Sequence, residues 1–294
     1  MEVLRRFKTT ESTMCSCPPR YAINTYSACS HGCFYCYGSR FWKTERPRKR
    51  EVLRYLKKDA KKKRRKLPVS LSPIVDPYTP EEKRYRVTRG VLEILQKNNY
   101  PICIMTKSDL VVRDRYLLKK ADSTVSFSIT TTDKEKAKLI EPRAPSPEKR
   151  IRAMKTLSKY TTVTARIQPL IPYFNNSSED IEATISELDR AGVKHTTSAV
   201  LRITSESWPK LKKVLPRAKE VEKIFFEERD RRAWYWYAPK RYRRDNMKRV
   251  AEIAKDHDMS FACCREGFGW LNTGICDAQG FLDCFKKQKK LDEF

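Results

Sequence analysis

Three cysteines lie close together in the first part of the chain, and their spacing is typical of a metal-binding loop. The run Ala-Cys-Ser-His-Gly-Cys-Phe-Tyr-Cys-Tyr places Cys29, Cys33 and Cys36 at C-x3-C-x2-C, with an aromatic residue on each side of the last cysteine. Three thiolates on one short loop can bind three irons of a 4Fe-4S cluster and leave the fourth iron without a protein ligand. Because an open iron can bind a substrate or cofactor directly, the spacing predicts chemistry as well as electron storage.

A longer run around these cysteines carries a family resemblance. Residues 21–37, Tyr-Ala-Ile-Asn-Thr-Tyr-Ser-Ala-Cys-Ser-His-Gly-Cys-Phe-Tyr-Cys-Tyr, resemble the signature of the radical S-adenosylmethionine (SAM) enzymes and, within them, of the spore photoproduct lyase-like branch. Ala28 stands where that branch usually has glycine. The resemblance implies that SAM chelates the open iron. One electron from the cluster would then cleave SAM to a 5'-deoxyadenosyl radical, which abstracts a hydrogen atom.

Four stretches downstream resemble further blocks of the same branch and follow in the same order. They are Asp76–Glu82 with Thr88 and Arg89, Ile104–Leu110 with Arg113 and Asp114, Ser126–Thr130 with Glu141–Pro147, and Gln168–Pro172. Together they extend the resemblance from residue 21 to residue 172. Most of them follow a predicted strand, and barrels collect their functional residues at the carboxyl ends of strands.

The resemblance, with this placement, implies which residues contact SAM. They are Tyr35, Asp76, Glu82, Lys107, Ser126 and Ser128. The lysine and the serines are expected to donate to the SAM carboxylate or ribose hydroxyls. A carboxylate is expected to accept from the SAM amino group, and the tyrosine is expected to pack beside the cofactor. Glu141 and Arg143 are predicted to form a structural ion pair.

Zinc is the alternative metal for a cysteine cluster. Zinc sites usually pair two C-x2-C units, or one such unit with two histidines, whereas this chain has only three histidines in all. A nonenzymatic, zinc-stabilised nucleic-acid-binding module is therefore kept as an alternative to a radical SAM enzyme.

The composition limits which folds and which cellular compartments are expected. The 294 residues, 39% of them hydrophobic, suffice for one α/β barrel. No apolar run approaches the roughly 20 residues that span a bilayer, and the first residues lack an apolar secretory segment. Ten cysteines without such a segment favour a reducing cytoplasm over a disulfide-bonded secreted protein.

The charge favours a polyanionic partner. Lys and Arg number 63 against 36 Asp and Glu, which leaves a formal net charge of +27. This excess attracts nucleic acid, and each neutralised phosphate adds a counterion-release contribution. We expect RNA (tRNA or rRNA) ahead of DNA, with the target base unpaired or extruded, because a radical on a buried cofactor does not reach into a duplex. Repair of a thymine photoproduct is a narrower hypothesis that rests on the resemblance alone.

A radical SAM enzyme acting on a peptide, protein or small metabolite is the alternative. Its basic surface would then reflect habitat, with charges arranged in ion-pair networks. Either enzyme is expected to take its electron from a donor such as ferredoxin or flavodoxin.

Strand and helix alternate at intervals of roughly 30 residues, which predicts a parallel sheet with crossover helices. The fold class expected is α/β, a partial (β/α)6-type barrel with a cysteine-rich C-terminal extension. Residues 1–28 are assigned to a leader, 29–204 to the barrel core and 205–294 to the C-terminal region. A basic helix over residues 46–66 is inserted in the core and is a candidate phosphate-contacting element. Residues 208–232 are predicted to be helical, and 259–262 to be the last strand.

The C-terminal cysteines have three interpretations. In the first, some of Cys263, Cys264, Cys276 and Cys284, with or without Cys15 and Cys17, bind a second Fe-S cluster or zinc. In the second, Cys263 or Cys264 donates a hydrogen atom to a product radical, as a cysteine does in the photoproduct lyase. In the third they are small buried hydrophobes, as free cysteines often are.

Four aromatic residues follow a run of arginines at residues 234–237. Unpaired bases stack on such aromatics, but a loop also uses them to cover a hydrophobic core. The sequence leaves these two roles open.

Overall fold

The computed structural model describes residues 2–7, 14–41, 49–63, 66–227, 230–232 and 234–285. Parts of every predicted region lie outside these ranges. They are residues 1 and 8–13 of the leader, 42–45 of the barrel core, 46–48, 64 and 65 of the basic helix, and 228, 229, 233 and 286–294 of the C-terminal region.

Most of the described strands belong to one large sheet. The strands are β1 (Arg5–Arg6), β2 (Tyr21–Ile23), β3 (Val69–Leu71), β4 (Ile102–Thr106), β5 (Ser123–Ser128), β6 (Thr162–Leu170), β7 (His195–Val200), β8 (Arg202–Ile203), β9 (Asp230–Arg232), β10 (Tyr235–Tyr237) and β11 (Ser260–Cys263). The large sheet has the order β1-β2-β3-β4-β5-β6-β7-β11. β1 runs antiparallel to β2, and each of the other neighbours is parallel.

Helices connect the parallel strands. They are α1 (Lys49–Lys62), α2 (Glu82–Tyr85), α3 (Val87–Lys97), α4 (Arg115–Lys119), α5 (Lys134–Ile140), α6 (Pro147–Leu157), α7 (Ser178–Arg190), α8 (Trp208–Leu211), α9 (Ala218–Phe226) and α10 (Lys240–Asp256). Short 3-10 helices cover Tyr37–Phe41, Asp109–Asp114, Gly269–Leu271 and Cys276–Phe281.

Local sequence features explain where these helices begin and end and which face packs against the sheet. Ser177 precedes α7 and its hydroxyl accepts from the Asp180 backbone N–H at 3.1 Å, which satisfies one free donor at the helix start. Gly192 follows α7 at φ +79°, a left-handed conformation that glycine adopts without strain. On α3, Val91 and Leu95 lie one turn apart and both are fully buried, so one apolar stripe packs against the sheet.

The sequence of parallel strands joined by helices confirms the predicted α/β partial barrel. Strand β4 has the predicted bounds, and β11 lies within one residue of the predicted last strand. Strands β1 and β2 come from the segment assigned to a leader, so that segment contributes to the sheet. No helix in the described ranges is long and apolar enough to cross a membrane.

The predicted helix over residues 208–232 is confirmed only in part. The described part of this region contains α8, α9 and then strand β9, which pairs with β10 in a small antiparallel sheet of order β8-β10-β9. Pro216, which cannot continue a helix from the preceding turn, lies between α8 and α9. Beyond α9 the aromatic run decides the structure, since Tyr235 and Tyr237 are buried at 8% and 2% exposure and fix β10 beside β9. Tertiary packing thus overrides the helical preference of the segment.

Candidate functional site

The carboxyl ends of the parallel strands surround a cavity of about 310 Å³, a volume in the range of ligand pockets. Its wall combines residues from the carboxyl-terminal parts of β4, β5, β6 and β7, from the loops after β2, β3, β4, β7 and β11, and from the segment before β2. Of the residues proposed from sequence as SAM or cluster contacts, the wall contains Cys29, Cys33, Tyr35, Cys36, Asp76, Lys107 and Ser128. The fold therefore brings together side chains that lie up to 99 positions apart in the sequence.

Neighbouring loops hold the cysteine loop in place. The backbone N–H of Phe34 donates to the Ile140 carbonyl at 3.0 Å, and that of Arg143 donates to the His31 carbonyl at 3.2 Å. The Cys36 N–H donates to the Cys33 carbonyl at 3.2 Å, which turns the chain between these two thiols. The loop is thus attached to the end of α5 and to the segment that follows it.

Two glycines allow the loop to pack this closely. Gly32 has φ +68°, and a Cβ there would lie 2.7 Å from a guanidinium nitrogen of Arg143. A Cβ on Gly38 would lie 2.5 Å from the Ile74 carbonyl oxygen and 3.4 Å from the Cys36 Sγ. A larger residue at either position would displace the loop that carries the thiols.

The three thiols fit an iron-sulfur cluster. All three face the same cavity, and burial raises the pKa of Cys29 to about 12 and raises the pKa values of Cys33 and Cys36 as well. Such thiols ionise when a metal replaces their protons. Three thiolates on one loop are enough to bind three irons of a 4Fe-4S cluster.

Asp76 organises the wall beside the cluster loop. Its carboxylate accepts from the Lys107 backbone N–H and from the Thr106 hydroxyl, both at 2.7 Å, and lies 3.4 Å from the His31 Nε2. Burial alone would raise the pKa of Asp76, but the neighbouring imidazole and the donated hydrogen bonds hold it below its ordinary value. Asp76 therefore keeps its charge inside the wall and orients Lys107.

Lys107 stands between an aromatic ring and a carboxylate. Its Nζ lies 5.6 Å from the centre of the Tyr35 ring and 3.7 Å from Glu141 Oε1. The Tyr35 hydroxyl donates to the same carboxylate and is 3.0 Å from the Thr130 hydroxyl. Glu141 thus pairs with Arg150, at 2.5 Å, and with Lys107, instead of with the Arg143 expected from sequence.

The remaining predicted SAM contacts divide between the cavity and the core. Ser128 lies in the wall at the end of β5, whereas Ser126 is one pleat deeper on the same strand and is 4% exposed. Glu82 is fully buried, pairs with Arg113 at 2.6 Å and accepts from the Thr88 backbone N–H at 2.9 Å. It thus supports the start of α3 and is not among the described residues that line the cavity.

The C-terminal cysteines point in different directions. Cys264 follows β11 and lies in the cavity wall, whereas the preceding Cys263 packs in the hydrophobic core. Successive residues of a strand face opposite sides, which separates these two thiols. Cys276 is buried at 3% exposure, and Cys284 is exposed. The residue before Cys284, Asp283, donates its backbone N–H to Asp122 at 3.1 Å, ahead of β5 and so at the opposite, amino edge of the sheet.

The sequence did not indicate several other residues of the wall. They are Arg20, His31, Tyr37, Arg166, Gln168, Arg202 and Arg265. His31 and Gln168 stand inside stretches that carry the family resemblance, so their motifs could have identified them. The arginines stand outside any such motif. Arg166 and Arg202 lie on strands, and Arg20 and Arg265 lie beside strand ends, so only the assembled fold shows that they line the cavity.

Comparison with known families matches residues 23–188 to the Radical SAM superfamily, which is more than half of the chain. The chain belongs to the radical SAM superfamily. Membership implies a 4Fe-4S cluster and SAM, in agreement with the three thiols and the polar wall of the cavity.

The similar proteins found by sequence include archaeal, viral and bacterial chains. An uncharacterised protein of Methanocaldococcus jannaschii is 37% identical over 159 residues, which cover 52% of this chain and 61% of the relative. An uncharacterised protein of Mycobacterium tuberculosis is 27% identical over 212 residues, 65% of this chain and 62% of the relative. ORF301 of Acidianus two-tailed virus is 28% identical over 250 residues, 74% of this chain and 82% of that protein. The chain spans about three fifths of the length of the first two relatives.

Solved structures share the fold at low sequence identity. A cysteine-to-serine variant of spore photoproduct lyase is 14% identical with a TM-score of 0.68, covering 88% of this chain and 80% of that one. The lyase complexed with a dinucleoside spore photoproduct is 13% identical with a TM-score of 0.66, covering 83% and 75%. Streptococcus suis SuiB bound to its precursor peptide SuiA is 14% identical with a TM-score of 0.55, covering 82% and 48%. These likenesses confirm the spore photoproduct lyase-like fold.

Proposed function

We propose that the protein is a radical SAM enzyme that acts on an unpaired base of a nucleic acid. The three thiols on one loop would hold the cluster, and the cavity wall beside them would hold SAM. When bound, these groups supply a 5'-deoxyadenosyl radical by one-electron cleavage of SAM. The electron is expected from a low-potential donor such as ferredoxin or flavodoxin.

The chain's own side chains have distinct tasks in this proposal. Lys107 supplies a cation to the SAM carboxylate, and Asp76 fixes the backbone that carries it. Tyr35 covers one side of the site while its hydroxyl is held by Glu141. The buried wall excludes water, which protects a radical from side reactions.

An exposed tryptophan at the margin of the cavity is the observation that favours nucleic acid as the substrate. Of the four aromatics at residues 234–237, Tyr235 and Tyr237 are buried, and Trp236 packs against Phe226 with 5.6 Å between ring centroids. Trp234 is 46% exposed, and its chain neighbour Tyr235 lines the cavity. An exposed indole offers a stacking surface to an unpaired base.

Cations stand around the same margin. The Arg40 guanidinium lies 5.5 Å from the Trp234 ring, and Arg40 is four positions after Cys36. Arg265 lines the cavity, and the positive charge of Lys210 acts on the Cys36 thiol. An aromatic surface bordered by cations suits a base followed by its phosphates.

The basic helix that the sequence suggested as a phosphate contact lies elsewhere. The Ala60 carbonyl at the end of α1 accepts from the Tyr100 hydroxyl at 3.1 Å, and Tyr100 precedes β4. Lys63 lies over the ring of Tyr21, the first residue of β2, at 5.5 Å. The lysine-rich end of α1 is therefore at the amino edge of the sheet, opposite the cavity. A nucleic acid held there would not be presented to the cluster.

A matched pair of tryptophan variants tests the proposal. Trp270 is also exposed, at 65%, and has a cation, Lys248, at 5.8 Å, but it lies outside the cavity wall. Trp234→Ala should weaken binding of a short single-stranded oligonucleotide about 5- to 150-fold, the loss of one stacked base. Trp270→Ala should change binding less than twofold. Fluorescence anisotropy with RNA and DNA oligonucleotides over a salt series measures both.

Equal losses in the two variants, or no binding of either oligonucleotide at low salt, would contradict the proposal. SuiB, which shares the fold, binds a precursor peptide. A protein that fails to bind nucleic acid would therefore be tested next with peptides.

A further inference from the structure

Four cysteines from the two ends of the described chain meet beside the cluster loop. The side chains of Cys15 and Cys276 hydrogen-bond to Cys17, and Cys276 also hydrogen-bonds to Cys264. Cys15, Cys17 and Cys264 line the same cavity as the first three thiols, and Cys276 is buried behind them. The segment before β2 and the segment after β11 are thus joined at one point through thiols.

The other described cysteines are excluded from this group by the fold. Cys263 faces the core, and its backbone N–H donates to the Asn272 side chain at 2.8 Å. Cys103 is buried on β4, and Cys284 is near the amino edge of the sheet. The grouping is therefore selective, since adjacent thiols at 263 and 264 have different surroundings.

Buried cations surround the four thiols. Arg20 hydrogen-bonds to Cys17, and the charges of Arg166 and Arg202 act on Cys264. These arginines are only 3%, 3% and 8% exposed. Buried guanidinium groups need negative charge nearby, and metal-bound thiolates supply it.

The arrangement distinguishes between the metals that four thiolates bind. Zinc sites are closed tetrahedra whose cysteines are usually spaced C-x2-4-C, whereas Cys15 and Cys17 are separated by one residue. Three of the four thiols line the cavity that also contains the cluster loop, so a second iron-sulfur cluster there would lie beside the first.

We propose that Cys15, Cys17, Cys264 and Cys276 are the ligands of a second iron-sulfur cluster, placed beside the first in the same cavity. Four thiolates satisfy all irons of a 4Fe-4S cluster, so this cluster has no open iron and its chemistry is electron transfer. Its ligation also ties the segment before β2 to the C-terminal segment. The proposal is independent of SAM cleavage and of the substrate.

Metal analysis of the full chain, prepared and reconstituted without oxygen, tests the proposal. The wild-type protein should contain about eight irons and about eight acid-labile sulfides per chain. The variant C29A/C33A/C36A should keep about four of each, and should keep the absorption and the reduced-state paramagnetic signal of one cluster. Adding both Cys17→Ser and Cys264→Ser to that background, which leaves two of the four thiols, should remove them.

Matched serine variants guard against misfolding and adventitious iron. Cys284→Ser and Cys263→Ser should retain the iron of their parent protein, because neither thiol joins the group. Loss of all iron in C29A/C33A/C36A, while circular dichroism shows it folded, would overturn the proposal. Zinc in place of iron, or disulfides among the four cysteines in the anaerobic native protein, would overturn it as well.

Discussion

The two cysteine groups beside the cavity differ in how the chain assembles them. Cys29, Cys33 and Cys36 stand on one loop of eight residues, attached to the segment after α5. The second group, Cys15, Cys17, Cys264 and Cys276, joins segments nearly 250 positions apart. A contiguous group can be recognised from spacing alone, whereas a dispersed one forms only after the sheet has placed its two ends together. The comparison also predicts different responses to mutation and to acid.

The largest expected difference concerns SAM cleavage. Cys33→Ala removes a ligand of the cluster with the open iron, so formation of 5'-deoxyadenosine should fall below detection. Cys276→Ser leaves that loop intact, so SAM should still be cleaved when a chemical reductant supplies the electron. Mass spectrometry of the nucleoside product checks both variants. Equal loss in the two would remove the functional distinction between the groups.

A smaller effect is expected on stability, from the buried ion pair near the loop of Cys29, Cys33 and Cys36. Glu141 and Arg150 are each about 1% exposed and form a 2.5 Å ion pair beneath the cysteine loop. Arg150→Met leaves the carboxylate buried without this partner and should lower the free energy of unfolding by about 3–5 kcal/mol. Arg241→Met, at a position 88% exposed, should change it by less than about 0.5 kcal/mol. Denaturant titration measures both, and a similar small change in each would contradict this role for the pair.

A fall in pH should affect the segments that carry the two cysteine groups differently. His195 packs against the C-terminal segment, with 5.8 Å between its ring and that of Phe281. Burial, with a contribution from Arg166, lowers the pKa of His195 to about 4 from the ordinary 6.5. An opened state in which this ring is exposed binds more protons than the closed state when the pH falls from 6.5 towards 4. The free energy of opening therefore decreases over this range. Opening of the C-terminal segment should increase about 20-fold between pH 7 and pH 5.

The support of the cysteine loop should not respond in this range. Burial opposes ionisation of Glu141, but Arg150 and Lys107 outweigh it and lower its pKa to about 2. Its carboxylate therefore stays charged at pH 5. Hydrogen exchange, corrected for the intrinsic rate at each pH, should show faster opening over residues 269–285 and unchanged protection over residues 29–36. The opposite pattern would mean that another group controls the acid response.

Those parts of the fold and the site that depend on local sequence patterns could be predicted from the sequence. The cysteine loop and the alternation of strands and helices are local patterns, and the structure and the comparisons confirm the family and the barrel. Lys107 and Ser128 were placed at strand ends through motifs, and they lie in the cavity wall. Glu82 came from the same motifs but faces Arg113, because a motif does not state which side of a loop a carboxylate occupies.

Other features depended on contacts between distant residues. The end of the predicted helix over 208–232 is a strand because β9 pairs with β10, which no local preference indicates. The earlier break, between α8 and α9, has a local signal in Pro216. The position of the lysines of α1 at the amino edge follows from the packing of Tyr100 and Tyr21, and the charge count alone gives no location. The partners of Cys15 and Cys17 likewise required the sheet order that places β11 beside β7.

The most direct test of the central claim is the formation of 5'-deoxyadenosine by the reconstituted wild-type protein with SAM and a strong reductant, with and without nucleic acid. We predict cleavage that requires Cys29, Cys33 and Cys36, and that a single-stranded oligonucleotide accelerates in the wild type but not in Trp234→Ala. Absence of 5'-deoxyadenosine from protein that holds its full iron and sulfide would contradict the radical SAM activity. Cleavage that RNA and DNA leave unchanged, but a peptide accelerates, would contradict the nucleic-acid substrate.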